Sequence, residues 1–307
     1  MRRTFLLCQS AAAALLLTGL IATDGSAELV AYDPFLSGGN RGVGEYTPGV
    51  DVRAQGTAAL GWVGTSGLDG FGIQHAGNTS NFVGNALGED YFGVDYEQGG
   101  RLQWLGVGDF PFNRNITRQL NPTPASSEWW VSIMLNRLAW EDAPASNTYV
   151  VGGFTDAGGN GLQIGYDDGV SGDGLPDLVL RSNSINTVLA ADAPANDNQL
   201  VLVRLLVNAA GDDVIEVWAD PPSVSLLPAP TLVITDQNVT DSLTPFSQSR
   251  YESPGQSGVV YFDEVRLGTT FSAVTGIPEP SGLLLSLAAG LPLAAWRRGG
   301  RRASGLG

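Results

Sequence analysis

Lysine is absent from this chain, and every one of its 16 basic residues is an arginine. Against them stand 31 acids, a net charge of −15. Such a surface repels nucleic acid, so no nucleic-acid partner is expected. Histidine occurs once, as His75. A lone histidine excludes a zinc site of the usual multi-histidine type and any mechanism built on a histidine pair. A serine triad needs only one, but no Gly-x-Ser-x-Gly elbow accompanies it, and His75 reads as a surface or turn histidine where a short Gly-bounded strand runs into a turn. Cysteine also occurs once, as Cys8, inside the N-terminal apolar stretch. A chain cut after that stretch carries no disulfide, no cysteine metal site and no cysteine nucleophile. Helical periodicity is nearly absent from the interior, and no internal repeat or proline-rich linker divides it, so residues 28–276 read as one domain.

What remains is an apolar chain, 43% hydrophobic and 15% charged, punctuated by 41 glycines. That composition folds, and the scattered glycines indicate many tight turns. Period-2 alternation is frequent. Trp129, Val131, Ile133 and Leu135 fall on one face of a strand, with Trp130 on the other. Further strands are expected over Tyr149–Phe154, Leu162–Tyr166, Leu178–Arg181, Val214–Ala219, Leu232–Ile234 and Val259–Leu267. Leu200–Asn208 is a continuous apolar run broken by Arg204, as in a strand buried on both faces. Between residues 28 and 124 the pattern is vaguer, with short strands near Phe71, Tyr91 and Leu102. Strands at this spacing, separated by Gly, Asp and Asn, predict an all-β antiparallel sandwich or barrel.

The two ends read as targeting segments. Arg2 and Arg3 precede an apolar run from Phe5 to Ala22, and Gly25-Ser26-Ala27 supplies the small residues of a cleavage site after Ala27. An uncleaved anchor helix is the alternative. At the other end stand Pro278, Glu279 and Pro280, an apolar stretch to Trp296, and then Arg297, Arg298, Arg301 and Arg302. A helix over that stretch spans roughly 24 Å, a little short of the ~30 Å hydrocarbon core. The arginines would hold its end in the cytoplasm. A plain tail anchor or a buried helix is the alternative. The order of these parts resembles the PEP-CTERM sorting signal of Gram-negative bacteria with exosortase systems. The resemblance implies recognition by an exosortase-type enzyme that removes the tail, a transient membrane helix, and delivery to the cell envelope, cell surface or extracellular matrix.

A second resemblance concerns the interior. Glu128-Trp129-Trp130-Val131-Ser132, Val151-Gly152-Gly153-Phe154, Val217-Trp218-Ala219-Asp220-Pro221 and Tyr261-Phe262-Asp263-Glu264-Val265-Arg266-Leu267-Gly268-Thr269-Thr270 carry it. These segments resemble the laminin-G-like, concanavalin A-type jelly rolls that occur in PEP-CTERM proteins. The implied organisation is a signal helix over 1–27, a jelly-roll sandwich over 28–276 and a transmembrane sorting helix over 277–307. It implies a fold and no particular activity, since such sandwiches host lectins, glucanases and adhesion modules alike.

Few residues offer chemistry. The segment Gly169-Val170-Ser171-Gly172-Asp173-Gly174-Leu175-Pro176-Asp177 resembles the calcium loops of surface β-proteins. Oxygens of Asp168, Ser171, Asp173 and Asp177 would be the ligands of such an ion. Gly169 stands where the first aspartate belongs, and a solvated Asp-Gly connection between two strands is the other reading. Sandwich glucanases place two acids across a cleft in a Glu-x-Asp-x-x-Glu strand, which is missing here. Asp263 and Glu264 are adjacent and expected on opposite faces, as are Asp213 and Glu216. Tryptophans offer either core or a stacking platform for sugars.

The expectation is therefore a non-catalytic exported protein that associates with exopolysaccharide. A structural surface protein without a small ligand, and a glycan-cleaving enzyme, are the other classes. The intact mass of the exported protein checks the targeting reading. It should lack residues 1–27 and those beyond about Pro280; a mass retaining Arg302 sinks the tail assignment.

Overall fold

The computed structural model describes residues 28–33, 62–69, 73–75, 102–104, 114–139, 149–156, 158–171, 175–222, 227–253 and 259–276. The targeting expectations, which rest on Ala27, Pro278, Glu279, Pro280 and Arg297, Arg298, Arg301 and Arg302, lie outside these residues, as does Asp173. Among the described residues, no helix is long and apolar enough to cross a membrane.

In chain order the strands are β1 (Leu29–Asp33), β2 (Trp62–Asp69), β3 (Ile73–His75), β4 (Leu102–Trp104), β5 (Arg114–Leu120), β6 (Glu128–Ala139), β7 (Tyr149–Thr155) and β8 (Gly161–Asp167). Then come β9 (Asp177–Ser182), β10 (Ile185–Ala190), β11 (Asn198–Leu206), β12 (Asp213–Ala219), β13 (Leu232–Gln237), β14 (Gln248–Ser253) and β15 (Val259–Gly268). A five-residue helix, α1 (Phe271–Thr275), follows. The strands form two antiparallel sheets. The first runs β13-β12-β11-β6-β15-β4-β3, with β1 also on β15, and the second runs β10-β9-β8-β7-β14-β5-β2. The antiparallel two-sheet expectation thus holds.

The core lies between the sheets because alternate residues of each point inward. Trp129, Val131, Ile133 and Leu135 of β6 and Val201, Val203 and Leu205 of β11 meet Phe154, Leu162, Ile164, Tyr166, Leu178 and Leu180 from the second sheet. Each such side chain contributes about 1.5–3 kcal/mol of burial free energy.

The first sheet is also covered on its outer face. There Leu200 and Leu202 of β11 join Trp130, Trp218, Phe271 and Val274 in a second apolar cluster. This is why β11 reads as a continuous apolar run. Trp130 and Trp218 stack at 5.6 Å, and Phe271 meets Trp130 edge-on at 5.2 Å. The helix that supplies Phe271 starts at Thr270, whose side chain accepts the Ala273 N–H, and ends at Gly276 with φ 71°. Trp129, Trp130 and Trp218 are therefore all packing residues, and none is a stacking platform.

One expectation about strand faces needs correction. In β15, Val260 and Phe262 point into the core, and so do Val265 and Leu267. The phase slips by one residue between the pairs, which requires a bulge, and the register shifts between Asp263 and Arg266. Asp263 and Glu264 sit in that bulge, both fully buried, with Glu264 at φ 50°. Simple alternation onto opposite faces does not apply to them. Glu264 pairs with Arg266 at 2.8 Å, and that guanidinium lies 4.7 Å from the centre of the Tyr32 ring.

Asp213, from the other pair of acids, joins separate stretches of backbone. It is fully buried at the start of β12. One carboxylate oxygen accepts the Asn208 N–H at 2.8 Å, and the other accepts those of Val239 and Thr240 at 2.9 and 3.2 Å. The carboxylate thus ties the β11–β12 connection to the segment after β13. Asp213→Ala should cost about 3 kcal/mol by leaving buried amides without an acceptor. Urea unfolding of the variant against the parent measures it, and a change below about 1 kcal/mol would remove Asp213 from this role.

Candidate functional site on the outer face of the second sheet

The sequence-derived calcium candidates lie on the connection between β8 and β9. That connection closes on the opposed pair Asp167 and Asp177. Asp177 is fully buried; one oxygen accepts the Ser171 N–H at 3.2 Å and the other that of Asp192 at 3.0 Å. Asp167 accepts the Gly169 N–H at 2.7 Å and a hydrogen bond from the Asn186 amide. Carboxylates that cap backbone N–H groups hold this loop closed as a hairpin connection. Among the described residues, no group of three or more His, Cys, Asp and Glu is arranged to hold a metal ion. Of the other acids singled out in the sequence, Glu216 pairs with Arg204 at 3.1 Å. His75 lies on the short strand β3, opposite Leu102.

The residues that sequence reasoning missed are on the outward-facing positions of the second sheet. The inward positions of β8 are Leu162, Ile164 and Tyr166, so Gln163, Gly165 and Asp167 face outward. The register extends this face across the sheet. Asn186 pairs with Arg181, Arg181 with Gln163, Gln163 with Gly153, Gly153 with Arg250, and Arg250 with Thr117. One polar row therefore crosses six strands, roughly 24 Å at ~4.8 Å per strand. The neighbouring row carries Val179, Gly165, Val151 and Glu252.

Glu252 organises the face. Its two oxygens take one arginine each, Arg181 at 2.5 Å and Arg250 at 2.6 Å. Arg181 also lies over the Tyr149 ring, 4.2 Å from its centre. Burial raises the Tyr149 phenol above its ordinary value, and the Glu252 charge adds to this against the opposing pull of Arg181. Tyr149 therefore keeps its proton at neutral pH. Two glycines, Gly153 in this row and Gly165 in the next, stand where neighbouring backbone comes close. A Cβ at Gly153 would sit 2.1 Å from the Leu162 carbonyl oxygen, and one at Gly165 1.9 Å from that of Val150. Only glycine fits these close strand contacts.

Along the strands the same face leads to a cleft. Gln119 and Gln248 are opposed partners on β5 and β14, two residues beyond Thr117 and Arg250. With Asn121, Thr123, Thr244 and Phe246 they line a cleft of about 740 Å³. Among the described residues its lining carries amides and hydroxyls and no ionised side chain. Gln248 donates to the Thr155 hydroxyl at 2.8 Å. Such groups suit a hydroxyl-rich ligand.

No family model matches this sequence, and no curated protein matches it. Among solved structures, the endo-β-1,4-glucuronan lyase of the fungus Trichoderma reesei is 13% identical, with a TM-score of 0.40 over 70% of this chain and 93% of that one. The marine alginate lyase of Aplysia kurodai is 7% identical, with a TM-score of 0.38 over 56% and 84%. The calcium-bound exoplasmic domain of VIP36 is 12% identical, with a TM-score of 0.38 over 57% and 80%. These likenesses concern backbone course alone. The two-sheet architecture rests on the strand pairing described above.

Asp167 supplies a pH test of this end of the face. Burial is the largest influence raising its carboxyl above 3.8; Asp168 and Asp177 add to it, and the Gly169 N–H opposes. A native pKa above the unfolded one means that the folded chain binds the extra proton between the two values. Stability is then lost as pH rises from 3.8 through the raised value. Asp167→Asn removes that loss, so the variant should have the flatter profile of melting temperature across this window. Identical profiles for parent and variant would overturn the assignment.

Proposed function

We propose that this chain is an exported jelly-roll protein of the concanavalin A-like type that associates with extracellular polysaccharide without cleaving it. The observation that carries the binding reading is the continuity of the cleft, lined by amides and hydroxyls, with the polar row on one outer face. Amides at Gln119, Asn121 and Gln248 offer donors and acceptors in the pairs that sugar hydroxyls require. Tyr149, protonated at neutral pH beside Arg181, is a further polar group on the same face.

The location follows from the ends of the sequence. In this reading the N-terminal signal is removed after Ala27, an exosortase-type enzyme acts at Pro278, Glu279 and Pro280, and the mature domain resides in the cell envelope or matrix. Calcium in the loop of Asp168, Ser171, Asp173 and Asp177 belongs to the same proposal, with the hairpin-only loop as its rival. Addition of EDTA should lower the melting temperature if the ion is there.

Titration of the purified protein against the host's exopolysaccharide and a panel of neutral glycans tests the binding reading. Saturable binding is expected, with no release of reducing ends. Gln119 and Asn121 are exposed, so Gln119→Ala and Asn121→Ala should leave folding intact. Each should weaken binding about fivefold, the value of one lost hydrogen bond of ~1 kcal/mol. Absence of binding to every polymer would favour the structural surface protein, and release of new chain ends would favour the enzyme.

A further inference from the structure

We infer that the cleft at Gln119 and Gln248 recognises the hydroxyl hydrogens of an uncharged polysaccharide and refuses a polyanionic one. This rests on the polysaccharide reading above and names the chemical class of polymer. The donors built into the cleft wall are spent inside the protein. The Leu120 N–H goes to the Ser247 carbonyl at 2.9 Å, and the Ser247 N–H goes to the Thr155 carbonyl at 3.1 Å. The Thr244 N–H goes to the Ser242 hydroxyl at 3.1 Å. Pro122 has no N–H. Thr123 donates its one hydroxyl hydrogen to the Phe246 carbonyl at 3.3 Å. The Gln248 amide nitrogen donates to the Thr155 hydroxyl at 2.8 Å and to the Asp156 carbonyl at 3.3 Å. A carbonyl only accepts, so the nitrogen stands on that side and the amide oxygen is the end left for the cleft.

What Thr123 and Gln248 still offer is lone pairs. Both line the cleft and both are half-buried. Their oxygens are held in place. Phe246, which takes the Thr123 hydrogen, is a core residue that meets Trp129 edge-on at 6.0 Å. Gln248 is tied to the end of β7 and to the residue after it. Fixed acceptors call for a ligand that brings hydrogens, and every sugar hydroxyl brings one. A carboxylate or a sulfate ester brings lone pairs alone. It would give up its water for a place whose described lining holds no cation and whose built-in donors are already engaged. The net charge of −15 adds repulsion at longer range. The exposed amides of Gln119 and Asn121 can turn to donate or to accept, so they suit the oxygens of the same sugar.

The test uses the purified protein in EDTA, so that divalent cations cannot bridge two acidic surfaces. Laminarin, galactomannan and dextran, the O-methylated form of each, and polygalacturonate are titrated in parallel by calorimetry. At least one neutral polymer should bind. Its O-methylated form, which keeps the oxygens and loses the hydrogens, should bind at least tenfold more weakly, and polygalacturonate should not bind. Thr123→Val keeps the shape of the side chain and loses its oxygen, and Gln248→Met keeps the length and loses the amide. Each should weaken the neutral polymer about fivefold, the value of one hydrogen bond. Thermal melts confirm that the variants fold, and the comparison of polymers needs the parent protein alone. Equal binding of a polymer and its O-methylated form overturns the inference, as does tighter binding of polygalacturonate; either leaves the polysaccharide reading intact. Parental affinity in both folded variants overturns it too, because methyl bulk then explains the loss on methylation. Failure of every polymer overturns both.

Discussion

One carboxylate shared between two arginines ties side chains together across four strands of the second sheet. Arg181 stands on β9 and Glu252 on β14, with β8 and β7 between them. A side-chain ion pair can cross two intervening strands only if nothing rises between its partners. Gly165 and Gly153 supply that clearance, and the same glycines permit backbone contacts that a Cβ would forbid. Glu252 is 9% exposed and Arg181 14% at the side chain, so the pair is largely desolvated. A buried pair of this kind is weak as a source of net stability but costly to break, because the survivor is left charged and unpaired. It therefore specifies geometry more than it adds free energy. The backbone ladders from β9 through β8 and β7 to β14 set the strand spacing, and the pair fixes how the side chains lie across it.

The two sheets divide their labour through what covers their outer faces. The first sheet is apolar on both sides at its centre, with α1 and the Trp130–Trp218 stack closing the outside. Arg204 seals the edge of that cluster, 5.8 Å from the centre of the Trp130 ring and paired with Glu128 and Glu216. Burial works against its charge, yet the two glutamates raise its pKa overall. Such a sheet is a scaffold. The second sheet carries polar side chains on its outer face, and it is placed rigidly because its inner face shares the common core. Groups on adjacent strands of a rigid sheet lose little freedom on binding, which favours such a face over a loop as a recognition surface.

Physical reasons decide which of this was visible in the sequence. Strands that alternate against the core, such as β6 and β8, announce themselves by period 2, and β11 by its unbroken apolar run. The strand that matters most to the site does not. β14 reads Gln-Ser-Arg-Tyr-Glu-Ser, with polar residues outward at Gln248, Arg250 and Glu252 and Ser249 inward. Its central position in the sheet comes from pairing on both sides with β5 and β7, a non-local fact. Trp130 could equally have faced solvent until α1 folded over it. The bulge at Asp263 and Glu264 was hidden in plain alternation counts, although the shift of phase from Phe262 to Val265 was its signal. Gly153 and Gly165, glycines inside otherwise good strands, were the sequence trace of the close strand contacts.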